Sequence, residues 1–270
     1  MKLFIVALKG IEHPVMPQCA RDAKACAELF SGAEVVAISE FPEPGWLDAA
    51  QFGDRAFAFR KKFVDAFGKE TRQLPNLMRC FIMDEYIRSN SITEPVMQID
   101  WEMMVFDNLD THFRKLGATS NNIGDCVSKS TPVHRTAAIW IGDLSAISFF
   151  VELLESHLKC RTPLWNTRKL EGNFKGDMNW WERTRTEGGY PAVDISLEME
   201  DSMFDHNMMV DTDIYHSDDG YKKLFWKGGK PYFKRRSDEG MVRAVALHCF
   251  WMWRTKTSDI LAKAIAGYSD

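Results

Sequence analysis

Two apolar runs bracket a helical stretch within the first forty residues, and that order restricts the fold more than any other feature of the chain. Lys2 to Leu8 is almost continuously apolar and reads as a buried strand. Pro17 to Phe30 then carries Cys19, Ala23, Cys26, Ala27 and Phe30 along one helical face. Ser31-Gly32 stops that helix, and Glu34 to Ile38, rich in β-branched residues, reads as a second strand. A strand, a loop, a helix and a strand in this order predict a nucleotide-type α/β unit. The opening run is too short to span a membrane and lacks a small-residue cleavage site, so a strand is the better reading than a signal peptide.

The apolar periodicity extends the pattern. Pro42, Pro44 and Gly45 mark a loop, and helices are expected over Asp54 to Phe67 and Leu74 to Arg88. A short strand ends at Asp100, and a second apolar run, Met103 to Phe106, follows it and ends at Asp107. Thr119 to Asp125 reads as a turn, Ala137 to Ile141 as a strand and Ser145 to Leu158 as a helix. Residues 160 to 176 form a polar stretch, Asp177 opens a Trp-rich helix, and Val193 to Ile195 is extended. Lys222 to Trp226 and Pro231 to Lys234 flank Gly228-Gly229 as a hairpin. Val242 to Phe250 is the last strand and Thr257 to Ala266 the closing helix. No repeat, low-complexity region or linker divides the 270 residues, so one domain is expected.

Composition narrows the function classes. A net charge of -4 gives no basic field, which argues against nucleic acid as a partner. The six cysteines are scattered without a CxxC pair, the pattern of reduced thiols in a cytoplasmic protein rather than of disulfides or structural zinc. No run approaches the roughly eighteen apolar residues of a transmembrane helix, so a soluble protein is expected.

The chemistry-bearing feature is the step from Pro95-Val96-Met97-Gln98-Ile99 into Asp100-Trp101-Glu102, followed by Met103-Met104-Val105-Phe106. On an extended chain both carboxylates point to one side. Their charges repel, and burial raises their pKa values unless a cation lies between them. A divalent ion with oxygen ligands meets that need, and Mg²⁺ or Mn²⁺ commonly shares such a site with substrate phosphates. Two solvated acids at a strand end are the other reading.

The segment from Arg79-Cys80-Phe81-Ile82-Met83-Asp84-Glu85-Tyr86 through Asp100-Trp101-Glu102 resembles the centre of GT-A-type glycosyltransferases, in which an Arg-bearing helix leads into an apolar strand and a DxD motif. Gly176-Asp177-Met178-Asn179, Phe204-Asp205-His206-Asn207, the hairpin Lys223 to Tyr232 and Leu247-His248 are similar to segments of a bacterial and viral glycosyltransferase-like group. The resemblance is discontinuous but spans roughly residues 1 to 250. Glu102 stands where the family has its second aspartate; it keeps the charge, while its extra methylene shifts the reach, and Trp101 is a bulky central residue.

The resemblance implies a single GT-A-like α/β/α domain over residues 1–270 with a central mixed, mostly parallel sheet. Residues 1–107 would be the nucleotide-binding half, and 108–270 the acceptor half with a late metal-ligand strand. It implies metal-assisted sugar transfer from a nucleotide-diphosphate sugar, a UDP-sugar favoured, to a glycan, lipid or protein hydroxyl. Asp100, Glu102 and His248 would hold Mn²⁺ or Mg²⁺. Leu8, Gly10, Arg79, Asp100 and Trp101 would contact the donor, with the nucleobase or ribose near Leu8-Lys9-Gly10.

Asp177 is read either as a helix N-cap or as a catalytic residue near the acceptor, contacting the sugar or taking a hydroxyl proton. Of Trp180 and Trp181, at most one can stack on a sugar, because adjacent helical residues diverge. Arg79 reaches a phosphate or lies solvated on its helix, and Asp84 pairs with Arg79 or Arg88. His248 is otherwise a core histidine bonded to backbone, and His134, His206 and His216 are structural or surface residues. Lys222-Lys223 and Arg235-Arg236 make a basic patch at the hairpin or a solvated edge. Two other functions compete. A catalytically silent glycan- or partner-binding protein has the Asp-Trp-Glu departure in its favour. A sugar-phosphate nucleotidyltransferase would need a Gly-rich loop after the first strand, which Lys9 to Pro14 does not resemble.

Overall fold

The computed structural model describes residues 1–9, 18–41, 43–68, 70, 73–127, 134–160, 177–199, 201–249 and 256–270. The loop expected over Gly10 to Pro14 and the polar stretch from 161 to 176 lie outside them. The strands are β1 (Lys2–Ala7), β2 (Glu34–Ser39), β3 (Leu47–Asp48), β4 (Val96–Ile99), β5 (Met103–Val105), β6 (Ile123–Val127) and β7 (His134–Ile141). They continue as β8 (Ala192–Asp194), β9 (Ser202–Asp205), β10 (Ser217–Asp218), β11 (Tyr221–Lys222), β12 (Phe225–Lys227), β13 (Lys230–Lys234) and β14 (Met241–His248). The helices are α1 (Gln18–Phe30), α2 (Asp54–Phe67), α3 (Leu74–Ser89), α4 (Leu109–Lys115), α5 (Ser145–Cys160), α6 (Asp177–Gly188) and α7 (Thr257–Ile265).

Seven strands form the central sheet in the order β3-β2-β1-β4-β7-β6-β8. Only β7 runs against its neighbours; the other pairs are parallel, so the sheet is mixed and mostly parallel. The carboxyl ends of β1, β2, β4, β6 and β8 therefore share one edge. Helices α2, α3, α5 and α6 cover one face through Phe59, Phe63, Phe81, Phe150 and Trp181. On the other face lie α1, α4 and a second sheet, β12-β13-β14-β5, with β9 added in parallel to β14. The central sheet thus takes its strands from residues 2 to 194, and the second joins β5 to strands from residue 202 onward. No helix among the described residues is long and apolar enough to cross a membrane.

Local rules account for most of these elements. Helix α2 ends at Gly68, whose left-handed conformation lets its N–H reach the Val64 carbonyl. Pro75 stands in the first turn of α3, where its missing N–H costs nothing. Asn108 caps α4 by accepting from the Thr111 N–H.

Three expectations are corrected. The turn expected over Thr119 to Asp125 stops at Asn122, and Ile123–Val127 is a strand between β7 and β8. Gly124 hides it in the sequence and permits it in space: a Cβ there would lie 2.5 Å from the Ile195 side chain and 2.9 Å from that of Trp140. Trp180 and Trp181 are both buried, so neither offers a face to a sugar. Trp181 packs on Phe150 at 4.7 Å between centroids, and Trp180 meets His157 edge-on with the Arg183 guanidinium at its face. Nor does the hairpin carry a basic patch of the expected composition. Lys222 is wholly buried against Asp205, and Arg235 pairs with Glu198 and Asp238.

Candidate functional site

The Asp100-Trp101-Glu102 step is the link between the two sheets. β4 ends at Ile99 in the central sheet, and β5 begins at Met103 in the second. The Met103 N–H donates to the Asp100 carbonyl at 3.0 Å, closing a turn. This corrects the reading of an extended chain with both acids on one side. The acids converge because the backbone reverses, not because side chains alternate along a strand.

Strand β14 completes the corner. It runs antiparallel to β5 with His248 opposite Met103, and the Cys249 N–H donates to the Glu102 carbonyl at 3.0 Å. The His248 imidazole thereby reaches Glu102 across 146 residues of chain, with Nε2 3.2 Å from Oε1. The same nitrogen lies 3.5 Å from Asp100 Oδ2. Glu102, His248 and Arg79 are buried, whereas the Asp100 side chain keeps 22% of its exposure. Arg79, from α3, pairs through Nη1 with Asp100 Oδ1. Asp84 pairs with Arg88 and with Arg55 of α2, and it also accepts from Ser148.

The tautomer of His248 follows from its other nitrogen. Nδ1 lies 2.7 Å from the His206 carbonyl oxygen, which can only accept, so Nδ1 carries a proton. Nε2 then faces two carboxylates. Were it unprotonated, its lone pair would oppose theirs. Burial by itself lowers the pKa of this ring, but the Glu102 hydrogen bond and the charges of Glu102 and Asp100 outweigh it, raising the pKa to about 8.

Among the described residues, no group of three or more His, Cys, Asp or Glu stands ready to hold a metal ion. The three donors are instead closed on one another and on Arg79 by ion pairing. The donor set itself suits a divalent cation. Two carboxylates and an imidazole converge, and the ring's second nitrogen is anchored on a carbonyl in the manner of metal-binding histidines. In this arrangement a proton on Nε2 takes the place between the acids that a cation would take.

The surroundings come from β1 and α1. Leu8 is buried just past β1 and belongs to the apolar cluster under α2 and α3. Trp101, half-buried, packs with Phe41 and Trp46 around Ala7 and Ala20. The Lys9 N–H donates to Glu40, and its ammonium lies 5.3 Å from the Phe41 ring. Gly10 lies outside the described residues. Asp177 is the first residue of α6, the helix that leads into β8, but its side chain also lies outside what is described.

Arg79, Asp100, Trp101, Glu102 and His248 are therefore brought to one place, with Leu8 at the end of the neighbouring strand. Sequence reasoning passed over the His206 carbonyl, which orients the imidazole. It had Asp205 only within a resembling segment and Lys222 only as part of a basic patch or a solvated edge, and did not pair the two. One signal was present: Ser202-Met203-Phe204 runs straight into an acid, as the segment before Asp100 does.

No protein-family model and no curated protein matches the chain. Among solved structures it is similar to mouse xyloside xylosyltransferase 1 in its apo form, with a TM-score of 0.44 and 11% identity over 75% of this chain and 87% of that one. It is also similar to a glycosyltransferase involved in the glycosylation of the major capsid of PBCV-1, with a TM-score of 0.42 and 14% identity over 96% and 98%. A third likeness is to the apo-form glycosyltransferase GlyE of Streptococcus pneumoniae TIGR4, with a TM-score of 0.38 and 11% identity over 71% of this chain and 45% of that one.

Proposed function

We propose that the chain transfers a sugar from a nucleotide-diphosphate sugar, a UDP-sugar favoured, to a hydroxyl of a glycan, lipid or protein at the Asp100–Glu102–His248 corner. One observation carries the reading. An imidazole whose Nδ1 proton is committed to a backbone carbonyl turns its other nitrogen onto two carboxylates, and a cation satisfies all three. Their position adds support, since open α/β sheets bind ligands outside the carboxyl ends of their strands and Asp100 follows β4 directly.

In this reading Asp100, Glu102 and His248 would hold Mn²⁺ or Mg²⁺. Bound there, the ion would neutralise charge developing on the departing diphosphate. Arg79 brings a second positive charge against Asp100. Trp101, Phe41 and Trp46 form an apolar wall beside β1 suited to the flat face of a base. Asp177, at the start of α6, is assigned to the acceptor side, where a carboxylate can take the proton of the attacking hydroxyl.

Isothermal titration with UDP- and GDP-sugars, with and without Mn²⁺, tests the reading on the intact protein and on Asp100→Ala. Donor binding that strengthens with Mn²⁺ and is lost in the variant supports it. Absence of binding to every donor, together with unaltered behaviour of the variant, would sink it. The Arg79–Asp100 ion pair favours a second reading, a protein that binds the donor without transferring its sugar. Donor binding with neither transfer nor donor hydrolysis over a broad acceptor panel would select that one.

A further inference from the structure

We propose that Lys222 is a positioning residue for His248, acting through a buried ion pair with Asp205. The inference rests on the sugar-transfer reading for its consequence, but not for its geometry. Strand β9 ends at Asp205, opposite Leu247 of β14, and the next residue, His206, presents the carbonyl that receives the His248 Nδ1 proton. Lys222 holds this segment at both ends. Its ammonium lies 2.5 Å from Asp205 Oδ1, and its backbone N–H donates to the Met208 carbonyl at 2.8 Å. Between them Asn207 accepts from the Met209 N–H, making a tight turn. The carbonyl that sets the imidazole is thus suspended between two contacts of one side chain and its own backbone.

Stability alone is a poor reason for the pair. Lys222 and Asp205 are both fully buried, with the Tyr215 and Phe233 rings beside the ammonium. Two apolar residues of the same volume in such a place are often as stable or more so, because neither charge must leave water. The Lys222 ammonium lies 5.4 Å from the Tyr215 ring and 5.1 Å from that of Phe233, which offsets part of the cost. Asp205 Oδ2 has no hydrogen-bond partner among the described residues, so the pair is not saturated even where it is retained. What charges add that methyl groups do not is direction. A single ion pair at the end of β9 fixes where the His206 carbonyl points, and hence which nitrogen of His248 faces Asp100 and Glu102. Partners that orient a metal-binding imidazole in this way commonly change metal affinity by about 10- to 100-fold when removed.

The test uses the double variant Asp205→Asn/Lys222→Met, which keeps both shapes and removes both charges. Its fold is checked by circular dichroism. In metal-free protein at high pH, nitrogen NMR of the His248 ring should show one Nδ1–H tautomer in the parent and a mixture in the variant. Mn²⁺ affinity should fall on the order of tenfold, while metal-free UDP binding stays unchanged. A folded double variant with the parent's tautomer and Mn²⁺ affinity within about twofold overturns the proposal. Should the double variant not fold, Asp205→Leu/Lys222→Leu, a second pair without charge or hydrogen bond, decides by the same readouts. If the parent itself binds no Mn²⁺, the sugar-transfer reading fails, and the tautomer comparison still decides whether Lys222 positions the ring.

Discussion

Replacing His112 by asparagine should remove a pH-dependent loss of stability that can be sized in advance. His112 lies buried on α4, and its Nε2 has no hydrogen-bond partner among the described residues. Burial lowers its pKa from 6.5 to about 4; Arg243 and Lys115 push the same way, while the Asp107 and Asp201 charges oppose. The folded value lies below the unfolded one, so as pH falls the unfolded chain takes the proton first. Stability contributed by the neutral ring is whole above the unfolded value and is lost progressively as pH falls toward the folded one. With these two values the loss is about 1 kcal/mol near pH 5.5 and between about 2 and 3 kcal/mol near pH 4.5, against a ceiling of about 3 kcal/mol. Urea denaturation of parent and His112→Asn near pH 7, 5.5 and 4.5 measures it. Other titrating groups cancel in the difference between the two proteins. Equal losses in both, over the whole range, would refute the argument that burial keeps this ring neutral.

Three further outcomes are expected. Arg79→Met leaves Asp100 without its guanidinium and should cost the metal-free protein about 2 kcal/mol, less than a fully buried pair because Asp100 retains some solvent. Melting curves should then show a larger Mn²⁺ stabilisation in this variant than in the parent, and an equal shift counts against competition between Arg79 and a cation. Gly142→Ala would set a Cβ 1.9 Å from the Thr119 carbonyl oxygen, and backbone cannot step aside cheaply, so a loss of about 1–3 kcal/mol is expected in chemical denaturation. Trp181→Ala removes the ring packed on Phe150 and should cost about 3–5 kcal/mol, whereas a loss under about 1 kcal/mol would show that the ring is not a core residue.

Periodicity was enough for the elements that pack by one face. Helix α2 begins and ends where the spacing of Phe57, Phe63 and Val64 places it, and α3 differs from expectation by one residue. The hairpin around Gly228-Gly229 follows from two residues that both take positive φ. Strand β6 was not legible, because Gly124 and Asp125 interrupt its apolar pattern and its ladder partners lie on β7 and β8. Lys222 was misread for a related reason. A lysine beside another lysine carries no sign in the sequence that an aspartate 17 residues earlier will bury it.

The sequence by itself determined the chemistry on offer: an arginine on a helix, two acids after an apolar strand and a histidine at the end of another. It also determined that these would lie in an α/β sheet, since the strand-helix-strand order at the start leaves few other ways to cover apolar strands. Tertiary structure decided that the acids sit on a turn between two sheets, and that Met103 opposes His248. It also decided that a carbonyl at the end of β9 aims the imidazole. Strand pairing across so many residues depends on which apolar faces meet when the core closes, and no local spacing records that choice.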